Sequence, residues 1–200
     1  APLVAMLQED EIIERAKEKA ALAVWSLATK HYENQMAVAT AGGIDALVIV
    51  LGVGTARAQE NAASALSALA LDNSQNELVI AKLIVELLGS ADKKASAKAA
   101  RAISSLARSN PSNQKSIAMA GGIELLVKLL NPEDGGVGGA GLLGGAAKEA
   151  LELARVQKEL ASAIWSLTLN NPANRIAIAD AGGIPPLILL LDGHSDVHRD

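Results

Sequence analysis

The stretch that decides the fold is NQKSIAMAGGIELLVKLL, residues 113–130. The same frame occurs at residues 34–51, NQMAVATAGGIDALVIVL, and at residues 174–191, NRIAIADAGGIPPLILLL. In all three stretches an asparagine precedes the first residue of a Gly-Gly pair by eight positions. A match of this length at one spacing is an internal repeat, and it predicts a chain built from stacked copies of one unit.

The glycine pair predicts a sharp turn between two helices, because glycine takes positive φ without a clash of a Cβ atom. In the first complete unit we predict a short helix that begins at the repeat asparagine and covers about 35–40. A second helix over 44–51 and an alanine-rich third helix over about 55–70 follow. Another helix, over about 11–29, precedes this unit, since its apolar residues recur every three and four positions.

Two units depart from this pattern. In the second unit NELVIA, residues 76–81, leads almost directly to LIVELL, residues 83–88, so the turn with its glycines is missing. We expect the first two helices of that unit to merge or their junction to straighten. The third unit carries an insertion in which residues 135–145 include seven glycines, and a long helix over about 146–167 follows. We expect the superhelix to bend at both irregularities and the features specific to this protein to lie there.

The third helices share a second register. The positions nine residues before each repeat asparagine are Trp25, Ser67, Ser104 and Trp165. Seven residues before each asparagine there is always a leucine, at positions 27, 69, 106 and 167. This recurrence, which persists across the deletion and the insertion, predicts that the four leucines lie in the core.

Composition excludes several classes of function. The formal net charge of −4 gives no electrostatic basis for binding nucleic acid. The absence of cysteine excludes disulfides, thiol catalysis and cysteine-based metal sites, and it suits a reducing compartment. No apolar run approaches the ~20 residues that span a bilayer. We therefore expect a cytoplasmic protein, with a nuclear or organelle assembly as the alternative.

These repeats resemble those of the armadillo family, whose unit is a short helix, a glycine turn, a second helix and a longer third helix. HEAT repeats, the near competitor, lack the Gly-Gly turn. The resemblance covers essentially the whole chain and implies an all-α fold, a right-handed α-solenoid with three helices per repeat. It divides the single domain into a partial repeat 1–32, a repeat 33–72, a degenerate repeat 73–109, a repeat with the glycine-rich insertion 110–170 and a partial repeat 171–200.

The third helices of armadillo proteins line a concave groove that holds extended peptides or segments of partner proteins. Carried over by position, the partner-binding groove of this chain consists of Trp25, Thr29, Ser67, Leu71, Ser104, Arg108, Trp165 and Leu169. The nuclear-import adaptors of the family have asparagine at the later position of each pair and tryptophan in most repeats. Here no later position is asparagine, and two of the four tryptophan positions are serine.

The resemblance therefore implies a non-catalytic scaffold that binds a partner protein or an extended peptide. A structural subunit of a large multiprotein assembly, or a piece of a longer solenoid, is the alternative. A receptor for nuclear-localisation signals is the least favoured reading, because the tryptophan and asparagine pattern of the adaptors is missing.

Other motifs lead to no predicted site. GVGGAG, residues 136–141, matches a dinucleotide fingerprint but follows a predicted helix where that fingerprint needs a strand, so we interpret it as an inserted loop. His194 and His198 have the spacing of metal ligands on a helix, with Asp196 between them. A structural metal site would need further ligands, so we interpret the segment as a solvated helix start. The sequence implies no Ser/His/Asp arrangement. We predict no catalytic residue, no metal and no cofactor.

Overall fold

A computed structural model describes residues 14–108, 110–131 and 147–192 of the chain. Over these residues the backbone is α-helical with short connections, and no strand occurs among them. The helices in chain order are α1 (Glu14–Ala28), α2 (Tyr32–Thr40), α3 (Gly43–Val53), α4 (Ala56–Ala70), α5 (Ser74–Leu88), α6 (Lys93–Ala107), α7 (Pro111–Met119), α8 (Gly122–Leu130), α9 (Ala147–Thr168), α10 (Pro172–Asp180) and α11 (Ile184–Asp192).

Four of these helices, α1, α4, α6 and α9, are the third helices of successive units. Helix α1 packs along α4, and α6 packs along α9, whereas the contact between α4 and α6 is much less extensive. One continuous core of alanine, leucine, isoleucine and valine joins the units. The many alanines let helices approach closely, and each unit buries its apolar face against its neighbours. The predicted all-α solenoid is confirmed.

The Gly-Gly turns have the predicted geometry. The first glycine of each pair has positive φ, which is 78° at Gly42, 84° at Gly121 and 80° at Gly182. The second glycine is required for space, since a Cβ at Gly122 would lie 2.8 Å from the Ile117 carbonyl oxygen. As a result, α2 and α3 meet at an angle of 74°, and α10 and α11 at 87°.

The second unit has one helix where the others have two. Helix α5 runs without a break through fifteen residues. Ile80 in its first half and Ile84 and Leu88 in its second half all lie in the core. The prediction that the two helices merge is confirmed, because without the glycine turn nothing interrupts the helical hydrogen bonds. The long helix after the insertion is also confirmed, since α9 has 22 residues and α6 has 15.

The prediction that the repeat asparagine begins the short helix is wrong, because the asparagine lies in the first turn of that helix. The N-cap is three residues earlier, where His31, Asn73, Asn110 and Asn171 accept a hydrogen bond from the backbone N–H of the repeat asparagine. The asparagine side chain instead points back to the preceding third helix. For example, Asn113 Nδ2 donates to the Leu106 carbonyl at 2.9 Å, and Asn174 Nδ2 donates to the Leu167 carbonyl at 2.9 Å.

The residue after the repeat asparagine ties consecutive third helices together in two units. Gln35 Nε2 donates to the carbonyl oxygen of Ala28, at the end of α1, and to those of Ala68 and Leu71, at the end of α4. Gln114 Nε2 makes the same bonds between α6 and α9, to the carbonyl oxygens of Ala107, Ser166 and Leu169 at 2.9 to 3.1 Å. Each of these two residues, with its three carbonyl acceptors, is called a glutamine clamp below.

The leucine register is confirmed at three of four positions. Leu69, Leu106 and Leu167 are buried, but Leu27 is 47% exposed. In the later units the first helix of the same repeat reaches this end of the third helix, as Gln35 of α2 does at α4. No such helix precedes α1 within the described residues, so the side chain of Leu27 is left uncovered. The glycine-rich segment 135–145 and residues His194 and His198 lie outside the residues that the structure describes.

Candidate functional site: the concave surface of the third helices

A concave pocket of about 530 Å³ opens where α4, α6 and α9 face one another. It lies where the contact between α4 and α6 is limited, and it reaches Leu51 at the end of α3. Its lining is mostly polar and consists of Leu51, Gln59, Glu60, Ala63, Lys98, Arg101, Ala102, Ser104, Ser105, Arg108, Lys158, Glu159, Ser162 and Trp165. All but Leu51 and Arg108 lie within third helices, and Arg108 is the C-cap of α6. The side chains therefore project from packed helices.

An arginine and a tryptophan form a pair at this pocket. The Trp165 side chain on α9 is 55% exposed. The guanidinium carbon of Arg108 lies 5.8 Å from the centroid of the indole ring. At this distance a guanidinium over a tryptophan face is held by a cation–π interaction. The pair joins the end of α6 to α9 and leaves both an aromatic face and a positive charge at the surface.

Further charged groups surround the pair. Lys98 Nζ donates to the Gly52 carbonyl at 2.8 Å, near the C-terminal end of α3 where a positive charge is favoured. Lys158 Nζ lies 3.7 Å from Glu159 Oε1, so these neighbours offset each other. Arg101 is exposed on α6, seven residues before Arg108.

The structure brings three of the eight predicted groove residues into this pocket, namely Ser104, Arg108 and Trp165. Ser104 is nearly buried, and its hydroxyl lies 2.8 Å from the Ser166 hydroxyl, so it forms the floor of the pocket and joins α6 to α9. Its hydroxyl is already hydrogen-bonded.

The other five predicted residues are distributed along the solenoid and do not line the pocket. Trp25 on α1 is 41% exposed, and Leu71 is exposed at the end of α4. The hydroxyls of Thr29 and Ser67 donate to backbone carbonyls in their own helices, Trp25 and Ala63. Leu169 follows α9, where its carbonyl accepts from the glutamine clamp of Gln114. Participation of these five residues in binding stays a prediction.

Sequence reasoning missed the basic residues one and two turns earlier on the same helices. Arg101 lies three residues before Ser104 and Lys98 lies six before it, while Lys158 lies seven before Trp165. Extending the groove register by two turns toward the helix N-termini would have found all three. It could not have shown that they face one cavity, because this depends on how α6 and α9 are placed beside α4.

Two further features of the described residues bear on function, the grouping of possible metal ligands and the length of apolar helices. Among residues 14–108, 110–131 and 147–192 no group of three or more His, Cys, Asp or Glu side chains is arranged to hold a metal ion. In the same ranges no single helix is long and apolar enough to cross a membrane. Only the bent pairs α2–α3 and α10–α11 reach that length and composition, each taken as a unit.

Comparison with known proteins identifies the fold. No family model and no curated protein matches the chain. Among solved structures it is similar to an engineered protein, with 27% identity and a TM-score of 0.55 over 98% of this chain and 74% of that one. It is also similar to a computationally designed armadillo repeat protein for modular peptide recognition, with 22% identity and a TM-score of 0.52 over 97% and 75% of the two chains. The resemblance to armadillo repeats is thus confirmed at the level of the fold.

Proposed function

We propose that this chain is a non-catalytic scaffold for protein–protein interaction and that its concave surface binds an extended segment of a partner protein. The observation that carries the proposal is the pocket of about 530 Å³ with the half-exposed Trp165 held under Arg108. Tryptophan and arginine are the residues most often found at the energetic centre of protein interfaces. An exposed pair of them inside a concave surface is therefore a candidate anchor.

The rigidity of the surface supports the same function. The pocket residues project from α4, α6 and α9, which share one continuous core. Binding to such a surface orders few protein groups, so little affinity is lost to conformational entropy. The designed armadillo protein with a similar fold was made for peptide recognition.

The chemistry of the pocket also favours binding over catalysis. Its lining contains no histidine. The hydroxyl of Ser104 is paired with that of Ser166, and Ser162 Oγ donates to the Lys158 carbonyl of its own helix. A serine nucleophile needs an adjacent base within hydrogen-bond reach. None of the three pocket serines, Ser104, Ser105 and Ser162, forms a hydrogen bond with a basic side chain or a carboxylate.

Selection from a displayed library of random octapeptides, with the purified chain as bait, tests the proposal. We expect selected peptides to bind the unmodified chain and to lose affinity about tenfold or more when Trp165→Ala removes the anchor, as hot-spot aromatics do. Trp25→Ala should weaken peptides that extend along the groove to α1. Tyr32→Ala is the matched control, because Tyr32 is an exposed aromatic residue on α2 and outside the third helices.

Circular dichroism of each variant separates loss of binding from loss of fold. Selected peptides that bind the Trp165→Ala and unmodified chains equally, with helicity unchanged, would show that the concave pocket is not the binding surface.

A second function, as a structural subunit of a larger assembly, is favoured by one other observation. Ile184, Ile188, Leu189 and Leu191 of α11 are large apolar residues at least half exposed. Apolar patches of this kind often mark protein contacts. Light scattering coupled to size exclusion would reveal self-association that Ile188→Lys abolishes. A monomer at high concentration would count against self-assembly through this surface.

A further inference from the structure

The charges of the pocket point to the chemistry of its ligand. We propose that the pocket between α4, α6 and α9 binds an acidic peptide segment, one in which aspartate or glutamate side chains recur within a few residues. The inference rests on the proposed function and specifies its partner.

The lining of the pocket is basic although the chain as a whole is acidic. Four cationic side chains, Lys98, Arg101, Arg108 and Lys158, face two acidic ones, Glu60 and Glu159. The pocket therefore has an excess of two positive charges in a chain whose formal net charge is −4. Charges of one sign gathered in a concave surface attract ligands of the opposite sign and raise their rate of association.

Two of the four cations are better placed than the others to meet a ligand. Lys158 is offset by Glu159 at 3.7 Å, and Lys98 is engaged with the Gly52 carbonyl. Arg101 and Arg108 are exposed, and no carboxylate of the described residues lies within 4.0 Å of either. Their guanidinium groups are thus available to an external anion.

The indole of Trp165 prepares Arg108 for this task. The cation–π contact with the ring restricts the positions open to the guanidinium group, so less freedom is lost when the arginine binds. A guanidinium offers two parallel N–H donors that match the two oxygens of a carboxylate. A lysine ammonium lacks this fork. The geometry therefore favours a carboxylate at the Arg108 position.

The spacing of the two arginines suggests how the peptide's acidic residues are spaced. Arg101 and Arg108 are seven residues apart on one helix and its cap, which corresponds to roughly 10 Å along the axis at 1.5 Å per residue. An extended peptide covers that distance in about three residues. Acidic residues two to four positions apart can then reach both guanidinium groups.

Other ligand classes fit these observations less well. A basic peptide would bring its charges toward Arg101 and Arg108 without a compensating excess of carboxylates. Single-stranded nucleic acid binds through several aromatic stacking platforms along a basic path, but this pocket has one aromatic residue, Trp165, in an acidic chain.

Fluorescence anisotropy with labelled octapeptides of glutamate, lysine and serine, and with an octamer of thymidylate, tests the assignment. We expect the glutamate peptide to bind at least about tenfold more tightly than the lysine or serine peptide at low ionic strength, and to weaken as salt is added. Arg101→Glu combined with Arg108→Glu should reduce its affinity about tenfold or more, since the reversed charges repel it.

Two further variants guard this test. Arg101→Gln combined with Arg108→Gln should give an intermediate loss, and it keeps the test valid if the reversed variant folds poorly. Lys115→Glu changes the charge of an exposed residue on α7, outside the pocket, and should leave affinity within about twofold of the unmodified chain, apart from weak long-range effects.

The outcomes also separate this inference from the proposed function. If the lysine, serine or thymidylate octamer binds more tightly than the glutamate peptide, at a site that Trp165→Ala disrupts, the acidic assignment is overturned. If the tighter ligand is the lysine or serine peptide, the pocket is still a peptide-binding groove and the proposed function stands. Glutamate binding that is equally sensitive to Lys115→Glu and to the arginine variants would show a diffuse charge effect and overturn the assignment. If library-selected peptides are also insensitive to Trp165→Ala, the proposed function fails as well.

Discussion

The junction at Gln114 and the junction at Glu77 occupy the same place in successive units, yet they hold their helices differently. Gln114 Nε2 donates to three carbonyl oxygens at the ends of α6 and α9, and its Oε1 accepts from Asn171. Glu77 is only 7% exposed, and its Oε1 has no hydrogen-bond partner. A carboxylate has no N–H to offer, so it cannot serve carbonyl oxygens as the amide does.

The packing of the third helices follows this difference. The two glutamine clamps join α1 to α4 and α6 to α9, and these pairs pack along each other. Glu77 occupies the equivalent place between α4 and α6. These two helices have the less extensive contact, and they border the pocket. The same unit lacks the glycine turn, so α5 is straight where its counterparts bend. We infer that these two changes together open the concave surface at this point.

The largest effect is expected at a clamp. Gln114→Ala removes the two N–H donors that three carbonyl oxygens share, and also the Oε1 that accepts from Asn171. At about 1 kcal/mol for each of two donor bonds and one acceptor bond, the free energy of unfolding should fall by about 3 kcal/mol. Glu77→Ala removes no such bonds and should cost less than half as much. Urea denaturation of both variants measures the difference. Equal losses would break the comparison between the two junctions.

The second largest change in the free energy of unfolding is expected at the Gly-Gly turn. Gly122→Ala would place a Cβ 2.8 Å from the Ile117 carbonyl oxygen, and the overlap should lower the free energy of unfolding by about 2 kcal/mol. Lys82→Ala, at the corresponding part of the straight helix α5, should change it by less than about 0.5 kcal/mol because Lys82 is exposed. A tolerated alanine at position 122 would mean that the turn does not require this close approach. Thermal denaturation of both variants decides the matter.

Converting the weak junction into a clamp should stabilise the chain. Glu77→Gln supplies the missing donor, and we expect a gain of about 1 to 2 kcal/mol in the free energy of unfolding. Glu86→Gln makes the same chemical change at an exposed residue of α5 and should have little effect. A loss of stability in Glu77→Gln would contradict the view that the missing donor weakens this junction.

The smallest change in the free energy of unfolding is expected at the hydrogen bond between α6 and α9. Ser104→Ala removes the buried hydrogen bond to Ser166 and should cost about 1 kcal/mol. Ser67→Ala, at the same register position on α4, loses only a bond to its own helix and should cost less. Urea denaturation of both variants compares them. A larger loss of unfolding free energy in Ser67→Ala than in Ser104→Ala would contradict this ranking. It would show that the packing of α4 against α6 depends strongly on Ser67.

Much of the fold could be predicted because it repeats in the sequence. Three Gly-Gly pairs at a fixed distance from an asparagine identify the turns, and the missing pair near Ala81 predicts the merged helix. The N-caps were missed although His31, Asn73, Asn110 and Asn171 lie at one fixed position. The repeat asparagine three residues later is the stronger recurring signal in the sequence, and it predicts a helix start that lies too late in the chain.

The clamps and the pocket depend on distances that the sequence does not contain. Gln35 and Gln114 are visible beside the repeat asparagines, but their acceptors on the next third helix lie 33 to 55 residues away. Whether Arg101 and Lys158 face one cavity depends on how α6 and α9 are placed beside α4. Of the eight predicted groove residues, only those on α6 and α9 near this opening line the pocket, because the opening is local to one junction.

The most direct test measures the separation of consecutive third helices. The chain has no cysteine, so nitroxide labels can be attached at chosen pairs of equivalent positions: Leu22→Cys with Ser64→Cys, Ser64→Cys with Arg101→Cys, and Arg101→Cys with Ser162→Cys. Dipolar spin-echo spectroscopy should give a longer distance for the α4–α6 pair than for the α1–α4 and α6–α9 pairs, and Glu77→Gln should shorten it. Three equal distances, unchanged by Glu77→Gln, would contradict the view that this junction opens the concave surface.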